Sequence, residues 1–169
     1  STADDIVLYD YNKYVGRGTK TNGNGKLFIN GYEWISPTMC VDSAGEYYVY
    51  VDDVATLQAA LDLDIQGKLN IILVNDIKGN VLVNQSKDKD YIIDGNGKKL
   101  EGYIEINGDA RQAGPDSVTI KNIKFTTSEN DIIYIDANDN TKYGNKYNYA
   151  HNIYVESCSF EGAGENVMG

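Results

Sequence analysis

The stretch that decides the fold is VTIKNIKF, residues 118–125, which recurs as IYVESCSF, residues 153–160. The copies align at a constant offset of 35 residues (153 minus 118), and the matched positions are apolar with polar positions between them. Short strands separated by a polar turn and repeated every 20 to 50 residues or so are typical of a stacked solenoid. We expect the matched positions to stack in its core: Val118 on Ile153, Ile120 on Val155, Ile123 on Cys158, and Phe125 on Phe160.

Two weaker copies precede this pair: NIILVNDIKGNVLV from Asn70 and YIIDGNGKKLEGYIEI from Tyr91. We therefore predict about four coils between residue 70 and the end of the chain. Segments 84–90, 107–117 and 136–152 would return each coil to the next, and they lengthen from 7 to 11 to 17 residues. The predicted inward pairs are Ile71 and Leu73, Tyr91 and Ile93, Val118 and Ile120, and Ile153 and Val155 on the opening strands, and Val81 and Val83, Ile104 and Ile106, and Ile133 and Ile135 on a third strand.

The N-terminal part of the chain does not fit this template. Residues 1–50 contain half of the tyrosines and three strand-like segments, at 5–16, 26–36 and 45–51, which predict a Tyr-rich β module for attachment or assembly. Residues 51–169 form the predicted coil domain, truncated or continued at its C-terminal end. It would begin with a capping helix over 53–65, which Asp52 or Asp53 starts and Gly67 ends. Such a helix would cover the open end of the coil.

Composition excludes some classes of partner. The net charge is -10, and Arg17 and Arg111 are the only arginines, so we expect no binding to nucleic acid, which requires a basic face. No run of apolar residues approaches 18, so we expect no membrane insertion. The two cysteines, Cys40 and Cys158, are too far apart in sequence to suggest a disulfide framework or a zinc site. We interpret Cys158 as a core residue.

The order of these segments resembles a known superfamily. The helix TLQAALD, the strand IILVNDI, and then IIDGNGKKLEG, VTIKNIKF and IYVESCSF are similar to the right-handed parallel β-helix, or pectate-lyase-like, superfamily over about residues 51–169. The resemblance implies an all-β, right-handed parallel β-helix with one N-terminal capping helix. Its members include phage tailspikes and other virion proteins, bacterial surface adhesins, and polysaccharide lyases and hydrolases. It is thus compatible with a homo-oligomer such as a trimer, or with an assembly subunit.

Catalytic candidates are few. The resemblance implies that catalytic residues would lie at outward positions of consecutive coils, where Lys121 and Glu156 stack, with Asp94 and Asn75 expected beneath them. A lyase would need such a base and a charge to stabilise its intermediate. Ordinary solubilising residues on a sheet face explain the same pattern. His151, the only histidine, has no nucleophile arranged near it and is interpreted as structural.

The long return segment, ANDNTKYGNKYNYAH at 137–151, is the strongest candidate for ligand binding. Its aromatic rings can stack on apolar faces while its amides satisfy hydroxyl or backbone groups. A self-packed loop on the coil flank is the alternative. An EF-hand is rejected because Thr141 replaces the required glycine and Tyr147 the bidentate glutamate, so only a looser Ca²⁺ site at Asp136 and Asp139 stays open. The candidate ligand-binding residues are Asn138, Asn140, Tyr143, Asn145, Tyr147, Asn148 and Tyr149.

These observations favour a non-catalytic β-helix protein that is extracellular, on a cell surface or on a virion. Its partner would be a polysaccharide or a surface protein, recognised by the return loops. The alternative is a polysaccharide-active lyase or hydrolase, or the N-terminal fragment of one.

Overall fold

The computed structural model describes residues 27–84, 89–107, 117–126, 132–136 and 152–161. Strands dominate these ranges, and one helix interrupts them, so the predicted all-β class is confirmed at this level. The elements, in chain order, are β1 Leu27–Ile29, β2 Tyr32–Ser36, β3 Met39–Val41, β4 Tyr47–Val51, α1 Val54–Leu61, β5 Gly67–Leu73, β6 Ile77–Lys78, β7 Val81–Asn84, β8 Lys89–Asp94, β9 Lys99–Glu101, β10 Ile104–Asn107, β11 Ser117–Lys121, β12 Lys124–Thr126, β13 Ile133–Asp136, β14 Ile153–Glu156 and β15 Ser159–Glu161.

The strands form three sheets that the chain visits in turn. The first sheet has the order β1-β2-β3-β4-β5-β8-β11-β14, the second β6-β9-β12-β15 and the third β7-β10-β13. From β4 onward every strand pair is parallel. Each pass through the three sheets, called a coil below, therefore places its strands beside those of the preceding coil.

The pairing of the predicted repeat is confirmed by the strand registers. Val118 pairs with Ile153, Ile120 with Val155, and Phe125 with Phe160. In the third sheet, β10 pairs with β7 and β13 in the predicted register, in which Ile104 lies between Val81 and Ile133. Side chains alternate between the two faces of a strand, so apolar residues at every second position lie on one face. In this register, the apolar faces of consecutive coils stack on one another.

The first coil departs from the prediction by two residues. Tyr91 pairs with Leu69 and Ile93 with Ile71, so the opening pair is Leu69 and Ile71 and not Ile71 and Leu73. A shift of two residues keeps the same face inward, and Leu73 is fully buried as well. β5 is the longest of the described strands, and its inward residues Leu69, Ile71 and Leu73 are all apolar, so alternation could not distinguish the two registers.

The core lies inside the coil and becomes more exposed at the last described strands. Val118, Ile120 and Phe125 are fully buried, whereas Ile153, Val155 and Phe160 in the next coil are only partly buried. The rings of Phe125 and Phe160 stack with centroids 5.3 Å apart. Cys158 packs against this core, as predicted, and it is half-buried. Burial raises the pKa of its thiol.

Helix α1 begins where predicted but ends earlier. Asp53 is the N-cap: its carboxylate accepts a hydrogen bond from Thr56 N at 2.7 Å, while the Thr56 hydroxyl accepts one from Asp53 N at 3.1 Å. The helix ends at Leu61 and not at residue 65, with Asp62 as C-cap. The chain must leave the helix axis before β5 starts at Gly67. Leu63 and Ile65 still pack against the core, which explains the apolar period that extended the predicted helix.

The first four strands share the first sheet with the coil. β4 pairs in parallel with β5, and β1 to β3 continue the sheet as antiparallel strands. The segment 26–36, predicted as one strand, contains a hairpin instead. Asn30 and Gly31 form its two-residue turn with φ of 52° and 85°, the conformation that Asn-Gly favours between twisted strands. The predicted domain boundary at residue 50 stays a prediction, and the strand predicted at 5–16 lies outside the described residues.

The outer face of the first sheet carries a second apolar cluster. Ile29, Trp34, Cys40, Tyr50 and Ile72 are buried there, apart from the main core. The rings of Trp34 and Tyr50 stack with centroids 6.2 Å apart. Aromatic side chains of the N-terminal strands are thus used for packing, consistent with half-buried strands. Among the described residues, no helix is long and apolar enough to cross a bilayer.

Candidate functional site

The predicted recognition loops start and end at one corner of the coil. Each connects a strand of the third sheet with the next strand of the first sheet: β7 with β8, β10 with β11, and β13 with β14. Each connection is longer than the one before it, as predicted. The candidate residues Asn138, Asn140, Tyr143, Asn145, Tyr147, Asn148 and Tyr149, together with Asp139 and His151, lie outside the described residues, so their roles stay predictions.

Polar residues occupy the ends of the third sheet at this corner. Asn84, Asn107 and Asp136 are the last residues of β7, β10 and β13, and they share one register position. Asn107 Nδ2 donates a hydrogen bond to Asn84 Oδ1 at 3.3 Å. Asn107 Oδ1 is buried and has no hydrogen-bond partner within the described part of the chain. The described flank of the corner therefore carries two side-chain amides, of which that of Asn84 is exposed and that of Asn107 is partly buried.

Side chains of the first sheet at this corner already form hydrogen bonds and a cation–π contact within the chain. Ser117 Oγ donates to Asp90 Oδ1 at 2.9 Å, and Tyr91 OH donates to the carbonyl oxygen of Asn84 at 2.8 Å. Lys89 is buried and lies 4.5 Å above the centroid of the Tyr91 ring. The bond from Tyr91 to Asn84 connects the first and third sheets across the corner, and the other two contacts lie within the first sheet.

The buried ammonium of Lys89 has a structural role. Its Nζ donates to the carbonyl oxygens of Leu61 at 3.3 Å and Leu63 at 2.6 Å, where helix α1 ends. Burial lowers the pKa of Lys89, and the nearby carboxylates of Asp62 and Asp64 oppose that shift. A cation is favourable at this position because the last carbonyls of a helix carry partial negative charge.

The predicted catalytic pair is brought together, but one of its expected neighbours is not. Lys121 lies between Glu156 and Asp94 in the first sheet, as predicted. Asn75 is not part of this column. The two-residue shift of β5 places Ile72 opposite Asp94, and Asn75 lies exposed in the turn after β5. The column therefore contains one ammonium and two carboxylates.

The carboxylate of Asp94 closes the turn between the first and second sheets. Its Oδ1 accepts hydrogen bonds from Asn96 N at 2.9 Å and from Asn122 Nδ2 at 3.1 Å. Such a short polar side chain bonded to the backbone two residues later is a standard turn element. Asp94 thus connects two consecutive coils. Of the three charged residues in the column, Lys121 and Glu156 are the two whose charged groups face solvent.

A shallow polar groove of about 480 Å³ follows this turn corner. Asn122 and Ser157 line it at equivalent positions of successive coils, with φ of 57° and 52°. Cys158 also lines the groove, and its Sγ donates to the carbonyl oxygen of Ile120 at 3.6 Å. The thiol is half-buried and its pKa is raised, so the reactive thiolate is disfavoured. The groove is thus formed by stacked turns of successive coils, and the Cys158 thiol bonds a backbone carbonyl and not a side-chain base.

The metal prediction concerned Asp136 and Asp139. Asp136 ends β13, but its side chain lies outside the described part of the chain, as does Asp139. Among the described residues no group of three or more His, Cys, Asp or Glu side chains could hold a metal ion. Calcium binding at this corner stays a prediction.

Two features of the site were missed from sequence. The Asn84 and Asn107 pair had a visible signal, because VLVN and IEIN both end in asparagine at the same coil position. An apolar groove beside α1 had no such signal, because residues 36–74 assemble it from separate elements. Comparisons with family models, with curated proteins and with solved structures found no match for this chain. Its function must therefore be argued from the site itself.

Proposed function

We propose that this chain is a right-handed parallel β-helix that acts without catalysis, and that it uses the loops at the corner between the third and first sheets to recognise a glycan or a surface protein. The observation that carries this proposal is that three connections of increasing length all join the same two sheets. A rigid coil that carries variable loops on one corner is a common way to separate stability from recognition.

The described flank of the corner supports a polar ligand. Asn84 and Asn107 line it with amides, and the side chain of Asn84 is exposed to solvent. The longest loop adds Tyr143, Tyr147 and Tyr149 in sequence. Amides that bond hydroxyl groups, combined with rings that stack on apolar faces, suit a sugar or a polar protein surface. Such a protein would work outside the cell, on a cell surface or on a virion, as a single chain, a trimer or an assembly subunit.

The decisive experiment replaces the three tyrosines, Tyr143, Tyr147 and Tyr149, with alanine. We expect weaker binding in a glycan-array and surface-protein screen, with a nearly unchanged Tm, because a recognition loop would contact the ligand and not the core. Replacing Tyr154, which is 51% exposed on the first sheet, provides a matched tyrosine control that should leave binding unchanged. A large loss of Tm with unchanged binding would show that the loop serves packing.

The alternative is a polysaccharide lyase or hydrolase. It is supported by the solvent-facing column in which Lys121 lies opposite Glu156. A lyase would release an unsaturated product from acidic polysaccharides, which absorbs in the ultraviolet. Turnover that is abolished by Lys121→Met or Glu156→Gln, but not by the neighbouring Thr119→Val, would favour this alternative over the binding function.

A further inference from the structure

An apolar groove lies at the opposite end of the coil from the last strands. It has a volume of about 550 Å³ and is formed between helix α1, the turn that joins β2 and β3, and strand β4. Pro37, Met39 and Val49 line one side, and Ala59 and Leu63 line the other. Ala59 is exposed, whereas Met39 and Leu63 are only partly buried. The floor of the groove is therefore an apolar surface in contact with solvent.

Among the described residues, acidic side chains outnumber basic ones around this groove. The segment 27–67 supplies most of the groove and contains no lysine, arginine or histidine. Asp52 lines the groove directly, and Asp62 and Asp64 flank the lining residue Leu63 in sequence. The seven carboxylates of the segment are those of Glu33, Asp42, Glu46, Asp52, Asp53, Asp62 and Asp64.

In the part of the chain that the structure describes, no lysine, arginine or histidine lines the groove. Lys68, the first cation after the segment, forms an ion pair with Glu46 at 3.3 Å, and Glu46 does not line the groove. The ammonium of Lys89 is buried beneath the end of α1, where it bonds the carbonyl oxygens of Leu61 and Leu63 and offsets part of the charge of Asp62 and Asp64. Asp52, which lines the groove, is left to face a ligand. An apolar floor with an acidic rim is complementary to a ligand that has apolar anchors flanked by positive charge.

We propose that this groove is a docking site for a cationic, amphipathic segment of another protein. Apolar side chains of that segment would contact Met39, Ala59 and Leu63, while its lysines or arginines would lie near Asp52. A second copy of this chain is a poorer occupant, since its net charge of -10 would repel the acidic rim. This site is separate from the loop corner, and it does not depend on the function proposed for that corner.

The test uses the whole chain and a fluorescein-labelled peptide of leucine and lysine, with leucines at i, i+3, i+4 and i+7. The control peptide has the same composition, but its leucines are spread around the helix. Fluorescence anisotropy would measure Kd at low and moderate salt. We expect the amphipathic peptide to bind at least about tenfold more tightly than its control, because only the former places its apolar side chains on one face.

Two variants locate the binding to the groove. Ala59→Glu introduces a charged side chain into the apolar floor and should weaken binding about tenfold or more, while Ala44→Glu is its matched control on an exposed turn outside the groove. Thr38→Glu is a second lining variant at an exposed position, in case Ala59→Glu perturbs folding. Asp52→Asn should weaken binding about threefold and reduce its dependence on salt.

Several outcomes would overturn the proposal. Equal binding of both peptides would indicate general charge attraction, and unchanged binding in Ala59→Glu and Thr38→Glu would place the peptide elsewhere. Self-association of the chain in analytical ultracentrifugation that these two variants abolish would identify a second copy as the occupant. Tighter binding of the amphipathic peptide that is lost in both lining variants, but kept in Ala44→Glu, would support it.

Discussion

The side-chain amide of Gln58 forms two hydrogen bonds with the backbone of Leu82. Gln58 Nε2 donates to the Leu82 carbonyl oxygen, and Leu82 N donates to Gln58 Oε1, both at 2.9 Å. The carboxamide therefore pairs with β7 as the peptide group of a neighbouring strand would. Because β7 is the outermost described strand of the third sheet, α1 satisfies an edge that would otherwise be open to another strand.

Replacing Gln58 with leucine should destabilise the protein. The substitution removes both bonds and leaves two part-buried backbone groups of Leu82 without partners, which costs about 1–3 kcal/mol. Chemical denaturation would measure the free energy of unfolding. Gln66→Leu, at an exposed position just before β5, is the matched control and should change it by less than about 0.5 kcal/mol. Equal effects of the two substitutions would contradict the edge-pairing role.

Gly102 is expected to tolerate no side chain. It has φ of 159°, and a Cβ there would overlap the carbonyl oxygen of Gly79 in the preceding coil. Gly102→Ala should lower the free energy of unfolding by more than about 3 kcal/mol, or prevent folding.

Gly97→Ala is the control that separates backbone strain from collision. Gly97 also has positive φ, 77°, but its Cβ would enter open space. We expect a cost of about 1–2 kcal/mol, which is the strain of a left-handed residue alone. If Gly102→Ala costs no more than Gly97→Ala, the close approach of the two coils is not a constraint on folding.

Ser157→Asn should stabilise the protein. Ser157 has φ of 52° and occupies the turn position at which the preceding coil has Asn122, with φ of 57°. Asparagine tolerates this left-handed conformation better than serine does, so we expect a gain of about 0.5 kcal/mol in the free energy of unfolding. Ser159→Asn, at an exposed strand position, should give no gain. A loss of stability in Ser157→Asn would argue against the equivalence of the two turns.

Asp53 should make the stability of α1 dependent on pH. The backbone N–H of Thr56, and then its hydroxyl, lower the pKa of the Asp53 carboxyl from its ordinary value of 3.8. Because the pKa is lower in the folded state, the stabilisation is fully present above the unfolded value. It is lost as pH falls through the lowered value.

The Asp53→Asn variant isolates this contribution, since asparagine keeps an N-cap acceptor that does not titrate. We expect the difference in free energy of unfolding between the original protein and Asp53→Asn to fall as pH decreases from about 5 to about 2. Urea denaturation across that range would measure it. A difference that does not change with pH would show that the charge of Asp53 does not contribute to the cap.

Much of the coil was predictable because alternation reports burial directly. Val118, Ile120 and Phe125 alternate with polar residues, so their face was determined and their partners followed from the repeat. The position of β5 was not predictable, because its inward residues Leu69, Ile71 and Leu73 are all apolar and allow either of two registers. The end of α1 was misplaced because Ile65 continues the helical period after the helix has ended.

The site was less predictable than the fold. The stacking of Lys121 with Glu156 followed from the repeat, but the use of Asp94 in a turn depends on Asn122, 28 residues later. The apolar groove combines residues of α1 with a turn that precedes the helix by many residues. Contacts between segments that are distant in sequence depend on the packing of whole elements, which local patterns do not encode.

The amino-acid sequence alone determined which side chains face the core, and it narrowed the helix cap to Asp52 or Asp53, because both depend on local periodicity and local hydrogen bonding. Only the tertiary structure decided that β1 to β4 extend the first sheet, that β5 is shifted by two residues, and that Gln58 pairs with Leu82. Alternation specifies a face but not a partner. The partner is selected when backbone groups of distant segments satisfy one another's hydrogen bonds.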